Sequence, residues 1–270
     1  MSSFTDWTAD DAATRIAVPG LHDDKYSRGV LGVITGSQQY PGAAVLGVEA
    51  ALHTGVGMVR YLGPSVPAQL VLARRPEAVT SAGRVQAWLL GSGMDPVDRD
   101  VASMTDALAQ ALPTVLDGGA LDLHDRVGGP VVITPHYREL ARVLGADAER
   151  IAADPEHWAR VAADDLGVTV LLKGHTTLVA GPGVSLRVRS APTWLATAGA
   201  GDALGGILGA LVATHSDAVR DDPDELARLA ATASVIHGFA AARAGGGGPF
   251  TILGLCSALP ATVAELLSRR

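Results

Sequence analysis

Residues 195–212, Leu-Ala-Thr-Ala-Gly-Ala-Gly-Asp-Ala-Leu-Gly-Gly-Ile-Leu-Gly-Ala-Leu-Val, join a turn of small residues to a long apolar run. The run carries no charged residue after Asp202 and predicts a buried helix. The N–H groups of Gly199, Ala200 and Gly201 would lie at the start of that helix. Because the first N–H groups of a helix lack partners within it, and because the helix dipole is positive there, the turn is a candidate anion site.

Asp202 is the one ionisable residue at this turn, and two interpretations of it remain open at this point. A carboxylate that only lined a phosphate site would repel its ligand. As a general base it would take the proton from a hydroxyl that attacks a phosphoryl group held by the amides. Aspartate is also a good helix N-cap, and a short glycine motif taken alone favours that structural role.

The composition excludes several classes of protein. The chain has 270 residues, is 48% hydrophobic and carries a net charge of −7. This charge argues against nucleic acid or an anionic membrane surface as a main partner, although a phosphorylated small ligand stays possible. The single cysteine, Cys256, excludes an internal disulfide and a cysteine metal site. The N-terminus lacks the features of a signal peptide, and the apolar runs are too short to span a membrane, so we expect a cytoplasmic protein.

Apolar segments of strand length alternate with helical segments along most of the chain. The runs at 29–35, 57–62, 88–90, 114–117, 130–134 and 167–173 predict strands buried on both faces, and 178–180 with 186–188 predict a hairpin. Helices are predicted at 43–53, 97–112, 155–166, 224–244 and 256–270. This alternation predicts a three-layer α/β/α fold with a mostly parallel central sheet. We expect one domain over 1–270, with residues 1–28 as a leader arm.

Three residues near strand ends are candidates for ligand contact, each with a structural alternative. Asp117 could contact metal-bound water or a ribose, or could form an Asp-Gly turn. His136 alone is best explained as a structural histidine, close to a helix start that Thr134 and Glu139 would cap. Lys173 closes an apolar strand, and either reaches a phosphate or extends to solvent. Neither a P-loop nor a G-x-G-x-x-G turn follows the first strand.

Five motifs together resemble one family. They are Tyr40-Pro-Gly-Ala-Ala-Val-Leu46, Gly91-Ser-Gly93, Thr134-Pro-His136 with Glu139, Leu172-Lys-Gly-His-Thr-Thr177 and Gly199-Ala-Gly-Asp202. Their order and spacing resemble those of the ADP-dependent NAD(P)H-hydrate dehydratases of the ribokinase-like superfamily. The resemblance runs from about Lys25 to Arg270. The sequence departs from the family pattern at four positions, namely Asp95, Arg138, Ala198 and Ala200.

The resemblance implies an enzyme that converts the S epimer of NADHX or NADPHX back to NADH or NADPH. ADP would be consumed with Mg²⁺, giving AMP and phosphate, and Asp202 would be the catalytic base. The residues implied to bind the hydrated dinucleotide are Ala43, Gly93, His136 and Asp202. Those implied to bind the nucleotide are Lys173, Gly174, His175, Thr176 and Thr177, with Gly199, Ala200 and Gly201. A homo-oligomer, in particular a tetramer, is also implied, whereas no metal ligand is indicated.

Two other functions would suit a similar sequence. One is an ATP-dependent kinase of the same fold that acts on a vitamin-like alcohol, such as a hydroxymethylpyrimidine or a hydroxyethylthiazole. The other is a non-catalytic nucleotide-binding protein. The motifs at Thr134–His136 and Lys173–Thr177 argue against the first, and the presence of both Asp202 and the glycine turn argues against the second.

Overall fold

The computed structural model describes residues 3–97, 99 and 101–270. Within this part, nine strands form one sheet in the order β1-β9-β8-β7-β6-β5-β4-β2-β3. The strands are β1 (Thr5–Asp6), β2 (Val30–Ile34), β3 (Met58–Tyr61), β4 (Ala87–Leu90), β5 (Thr114–Leu116), β6 (Val131–Ile133), β7 (Thr169–Leu172), β8 (Thr177–Ala180) and β9 (Ser185–Val188). Only β8 runs antiparallel to its neighbours, so the prediction of a mostly parallel sheet is confirmed.

The central strands are buried along their whole length. Every residue of β2, β4, β5, β6 and β7 is buried, which agrees with their uninterrupted apolar sequences. Alternate residues of a strand point to opposite faces, so each strand contributes to two separate cores. Leu31 and Val33 belong to one hydrophobic cluster, and Val30 and Ile34 to the other.

Helices cover both faces and complete the three predicted layers. They are α1 (Ala9–Ala13), α2 (Pro41–Thr54), α3 (Ser65–Arg74), α4 (Val101–Leu108), α5 (Tyr137–Leu144), α6 (Ala148–Ala153), α7 (Pro155–Leu166), α8 (Ala200–Thr214), α9 (Ser216–Asp221), α10 (Glu225–Gly245) and α11 (Ile252–Leu267). Helices α2, α8, α10 and α11 pack on one face with the cluster of Leu31, and α4 to α7 lie with the cluster of Val30. Short 3-10 helices span Gly118–Arg126 and Thr193–Leu195.

Helices α2 and α8 approach closely because both carry glycine at their contact. A Cβ atom added to Gly206 would lie 2.2 Å from the carbonyl oxygen of Gly47, so no larger residue fits there without movement. This packing fixes α8 against α2 and against the sheet, and it places the start of α8 at the edge where the parallel strands end. The small residues of the 195–212 segment therefore serve the packing as well as the turn.

Part of the segment that was predicted as a leader arm joins the sheet. Strand β1 pairs in parallel with β9, and Trp7 Nε1 donates a hydrogen bond to Thr232 Oγ1 at 3.2 Å. Helix α1 packs against α10. A two-residue polar strand gives no periodic signal, so its pairing was not predictable from the sequence. Met1 and Ser2 lie outside the described residues.

One predicted helix is shorter than expected. The prediction covered 97–112, whereas α4 ends at Leu108, and residues 98 and 100 lie outside the described part of the chain. The helix cannot continue to residue 112, because Ala111 adopts a positive φ of 54° and the residue before Pro113 is restricted to extended conformations. In the described part of the chain, we find no helix whose length and apolar character would allow it to cross a bilayer.

Candidate active site

A large cleft opens at the carboxyl ends of the parallel strands. Its volume is about 1040 Å³. Four of its lining residues directly follow strands or strand-end turns: Gly93 after β4, Asp117 after β5, His136 after β6 and Lys173 after β7. The chain also reverses its order in the sheet between β2 and β4, which is where ligands bind in open parallel sheets.

The small-residue turn forms one wall of this cleft. Helix α8 begins at Ala200, and Gly199 is its N-cap with a φ of 89°, a conformation that favours glycine. A Cβ atom on Gly199 would lie 2.6 Å from Leu46 Cδ1. Among the described residues no side chain caps this helix, and Asp202 occupies its third position, so the interpretation of Asp202 as the N-cap is wrong. The first turn of α8 lines the cleft, and although the N–H of Ala200 donates to Thr197 O at 3.4 Å, the start of a helix carries further N–H groups without partners inside the helix.

The carboxyl group of Asp202 is unusual in its proton affinity. Its pKa is raised from the ordinary value of 3.8 to about 6, mainly by burial and also by the negative charge of Asp117. The positive charge of Lys173 opposes both effects and is already included in that value. At neutral pH the group is mostly ionised, yet it binds a proton far more readily than an exposed aspartate. This combination suits a general base.

Lys173 reaches into the cleft instead of extending to solvent. Its Nζ lies 2.9 Å from Asp117 Oδ1 and 3.7 Å from Glu139 Oε2. A Cβ atom added to Gly201 would be 3.5 Å from the same Nζ, so the ammonium group lies beside the first turn of α8. Burial alone would lower the pKa of Lys173, but the charges of Asp117 and Glu139 raise it above its ordinary value. The cleft therefore holds a fixed positive charge next to the amide donors.

Asp117 is the buried partner of this lysine. Its Oδ1 also accepts a hydrogen bond from Thr134 Oγ1 at 2.7 Å, and its Oδ2 accepts one from Ser92 Oγ at 3.0 Å. Burial would raise the pKa of Asp117, but Lys173 and the two hydroxyl donors hold it below its ordinary value. The side chain is thus a buried carboxylate, and the alternative of a simple Asp-Gly turn does not explain its three side-chain partners.

His136 begins helix α5 with an unusual capping arrangement. Its Nδ1 accepts hydrogen bonds from the backbone N–H groups of Arg138 and Glu139 at 3.1 and 3.2 Å. Glu139 Oε2 in turn accepts from the His136 N–H at 2.8 Å. The expected cap at Thr134 is wrong, since its hydroxyl is used by Asp117. With Nδ1 as acceptor, the assigned ring proton is on Nε2, which leaves a donor for a ligand.

Most of the other predicted site residues also line the cleft. Gly93 has a φ of 67°, and a Cβ atom on it would lie 2.3 Å from the Ala43 Cβ. Ala43 is thus a buried support behind Gly93. The remaining predicted residues found on the cleft wall are Gly174, His175, Thr177, Gly199, Ala200 and Gly201. Thr176 lies between His175 and Thr177 but is not part of that wall.

His237 is a cleft residue that we did not predict from the sequence. It lies on α10, is buried, and lines the cleft close to Ala200. Burial lowers its pKa to about 4, so the imidazole is neutral at pH 7. Its Nε2 has no hydrogen-bond partner among the described residues. The only available signal was a histidine within an otherwise apolar helix, which is also the pattern of a core residue.

The comparisons with known proteins agree with this geometry. A model of the NAD(P)H-hydrate dehydratase family matches residues 31–246, which include the whole cleft. The chain belongs to this family. The bifunctional NAD(P)H-hydrate repair enzyme Nnr of Mycobacterium tuberculosis is 45% identical over 221 residues, covering 76% of this chain and 45% of that protein. The ADP-dependent (S)-NAD(P)H-hydrate dehydratase of Xanthomonas campestris is 33% identical over 228 residues, covering 75% of this chain and 78% of that protein.

The chain spans about half the length of the bifunctional relatives that it matches. Solved structures of this dehydratase family share the fold. The Bacillus subtilis ADP/ATP-dependent NAD(P)H-hydrate dehydratase, co-crystallised with ATP/Mg²⁺, has a TM-score of 0.87 at 22% identity and covers 98% of this chain and 100% of that one. A ribokinase-like superfamily protein from Enterococcus faecalis gives a TM-score of 0.80, also at 22% identity, over 96% and 95% of the two chains. The predicted ribokinase-like fold is confirmed.

Proposed function

We propose that the cleft catalyses the ADP-dependent dehydration of the S epimer of NADHX or NADPHX, returning NADH or NADPH with AMP and phosphate. The observation that carries the proposal is the position of the Asp202 carboxylate in the first turn of α8, close to the Lys173 ammonium group, together with its raised pKa of about 6. A base, an anion site and a positive charge in one cleft are what phosphoryl transfer to a hydroxyl requires. The names of the family and of its relatives supply the substrate.

In the proposed first step, Asp202 accepts the proton of the C6 hydroxyl on the hydrated nicotinamide ring. The hydroxyl oxygen attacks the β-phosphorus of ADP, a P–O bond forms, and the bond to the AMP oxygen breaks. The N–H groups of Gly199 and Gly201 stabilise negative charge on the phosphoryl oxygens. Lys173 contributes a fixed positive charge at the same place. These residues act on the phosphoryl group without forming a covalent bond to it.

In the second step, the C6–O bond breaks and phosphate leaves. The lone pair of the ring nitrogen supplies the electrons, and loss of a ring proton restores the dihydronicotinamide. Phosphorylation is needed because hydroxide is a poor leaving group, whereas phosphate is a good one. We propose that His136 binds the dinucleotide through its Nε2–H, and that Gly93, supported by Ala43, allows it to approach the backbone closely.

Magnesium fits the donor chemistry of the cleft. Its carboxylates are Asp117, Glu139 and Asp202, and among the described residues no cluster of three or more acidic, histidine or cysteine side chains forms a complete metal site. Mg²⁺ typically uses one or two carboxylates together with substrate phosphates and water. We propose Glu139 as the residue that would hold it. The ion would supply charge neutralisation on the diphosphate.

The deciding experiment is incubation of the protein with S-NADHX, Mg²⁺ and either ADP or ATP. We expect the near-ultraviolet absorbance of NADH to return, with one AMP and one phosphate formed for each NADH when ADP is supplied. D202N serves as the control and should give no NADH. ADP formation from ATP with a vitamin-like alcohol, and no recovery of NADH, would instead identify a kinase and would refute the proposal.

The assembly and location of the protein are also proposals. We propose a homo-oligomer, in particular a tetramer, which light scattering coupled to size-exclusion chromatography would test directly. A monomer at micromolar concentration would contradict it. We further propose that the protein works in the cytoplasm, where its nicotinamide and adenine nucleotide ligands are present, and cell fractionation would test this.

A further inference from the structure

We propose that Asp117 is a positioning residue, which holds the Lys173 ammonium group beside the α8 amides and so prevents an ion pair between Lys173 and Asp202. The proposal rests on the proposed function, because it explains how the base stays available. Without a competing anion, the nearest carboxylates to a buried ammonium group become its partners, since a buried unpaired charge is costly. Asp202 is one residue from Gly201, beside which the ammonium group lies.

The geometry supports a holding role for Asp117. Its carboxylate receives three donors from the ends of three strands: Ser92 after β4, Thr134 after β6 and Lys173 after β7. Asp117 itself follows β5, which lies between β4 and β6 in the sheet. A side chain fixed from three directions is a rigid anchor for the ammonium group. None of these three contacts is local in the sequence, so the anchor depends on the folded sheet.

The structure also shows that Lys173 is kept from Asp202. Within the described part of the chain, the ion-pair partners of Lys173 are Asp117 and Glu139, and Asp202 is not among them. Asp202 nevertheless experiences both charges: Asp117 raises its pKa and Lys173 lowers it. Neutralising Asp117 would remove the first effect and release Lys173 to strengthen the second. Both changes weaken the proton affinity of Asp202.

Other titratable groups also line the cleft. They are Tyr40 at the start of α2, His136 and Glu139 at the start of α5, His175 after β7 and His237 on α10. The pKa of His237 is lowered to about 4, so it carries no charge over the range in which Asp202 titrates. Glu139 is the second partner of Lys173 at 3.7 Å, but it is also bound to the His136 N–H group, so it is a weaker anchor than Asp117.

The test is a ¹³C-carboxyl NMR titration of Asp202 in the full chain without ligand, comparing wild type with D117N. Asparagine keeps the shape of aspartate, and the hydroxyls of Ser92 and Thr134 can rotate to suit the amide. We expect the Asp202 titration midpoint to fall by about one pH unit, the size typical of a nearby charge. An unchanged midpoint would show that Asp117 has only a structural role, and would overturn the proposal.

Two further variants keep the test decisive if D117N folds poorly. K173M removes the positive charge and should move the Asp202 midpoint upward, whereas no change or a fall would overturn the proposal. S92A retains the charges of both Asp117 and Lys173, so the titration midpoint of Asp202 should stay near that of wild type. A fall as large as the one expected for D117N would contradict the proposal. In the double variant D117N/K173M, the fall seen in D117N should be largely reversed.

The NMR readout separates this proposal from the proposed function. It requires no turnover, so a wild-type protein that fails to return NADH would refute the function while the titration still decides the role of Asp117. If turnover is present, D117N should move the acid limb of the kcat/KM profile to lower pH and raise the ADP dissociation constant roughly tenfold, because the ammonium group is no longer held at the phosphate site. D125N, at an exposed aspartate of the Gly118–Arg126 segment, is the matched control and should change neither value.

Discussion

Replacing Asp202 by asparagine should stabilise the folded protein while it removes activity. The folded environment raises the pKa of Asp202 from 3.8 to about 6, so the folded state binds this proton more tightly than the unfolded state. Between pH 3.8 and pH 6 the wild-type protein therefore loses stability as the pH rises, because Asp202 is ionised in the unfolded chain and burial disfavours its ionised form in the folded protein. Asparagine carries no charge and avoids that loss.

The magnitude follows from the pKa difference. One pKa unit corresponds to roughly 1.4 kcal/mol, so the ionised Asp202 costs at most about 3 kcal/mol at pH 7.5. The side chain is partly exposed, and solvent screening reduces the expected gain to about 2 kcal/mol. For a chain of 270 residues this gain would raise Tm by about 3–4 °C. At pH 5 the gain should be about half of that at pH 7.5, since part of the wild-type population is then protonated.

Urea unfolding followed by circular dichroism at pH 5 and pH 7.5 measures this gain directly. D125N is again the matched control, and its free energy of unfolding should equal that of wild type at both pH values. The reasoning would be refuted if D202N were no more stable than wild type at pH 7.5, or if its advantage were the same at both pH values. A stable, inactive D202N would identify Asp202 as a residue retained for chemistry at the expense of stability.

Three other perturbations test separate parts of the site. K173A should weaken ADP binding at least tenfold by calorimetry and lower the free energy of unfolding by about 3 kcal/mol, because Asp117 is left buried without its counter-charge; unchanged ADP affinity would exclude Lys173 from the nucleotide site. G199A should cost about 1–3 kcal/mol in urea unfolding, since φ is 89° and the added Cβ meets Leu46, and wild-type stability would contradict that geometry. The wild-type protein should lose up to about 3 kcal/mol of its free energy of unfolding as the pH falls from 6.5 to about 4, because burial disfavours the charged imidazole of His237. H237N should not show this loss, and identical pH dependence in both proteins would place His237 in contact with water.

The layer architecture was predictable because burial leaves a local signature. The apolar runs that became β2, β4, β5, β6 and β7 are continuous in the sequence, and strands covered on both faces need such runs. The turn before α8 was predictable for the same local reason, since small residues and a following apolar run mark a helix start that a ligand can approach. Where the signal was weak, as in the two-residue β1, the prediction missed the element.

The candidate site was only partly predictable. Asp117 and Lys173 were both identified as possible ligand contacts, but their pairing across 56 residues was not foreseen. Thr134 was expected to cap α5, and instead its hydroxyl binds Asp117 while His136 forms the cap. His237 lies in an otherwise apolar helix, and that pattern did not distinguish a cleft residue from a core residue. In each case the missing information was which distant side chain would be the neighbour.

The residue pattern alone specified the strands, the helices, the amide turn and the presence of a carboxylate beside it, because hydrophobic periodicity and turn chemistry act over a few residues. The folded sheet alone decided that Asp117 lies between Ser92, Thr134 and Lys173, and that burial raises the pKa of Asp202 to about 6. Those properties depend on strand order and on exclusion of water, and both arise only when segments far apart in the chain pack together.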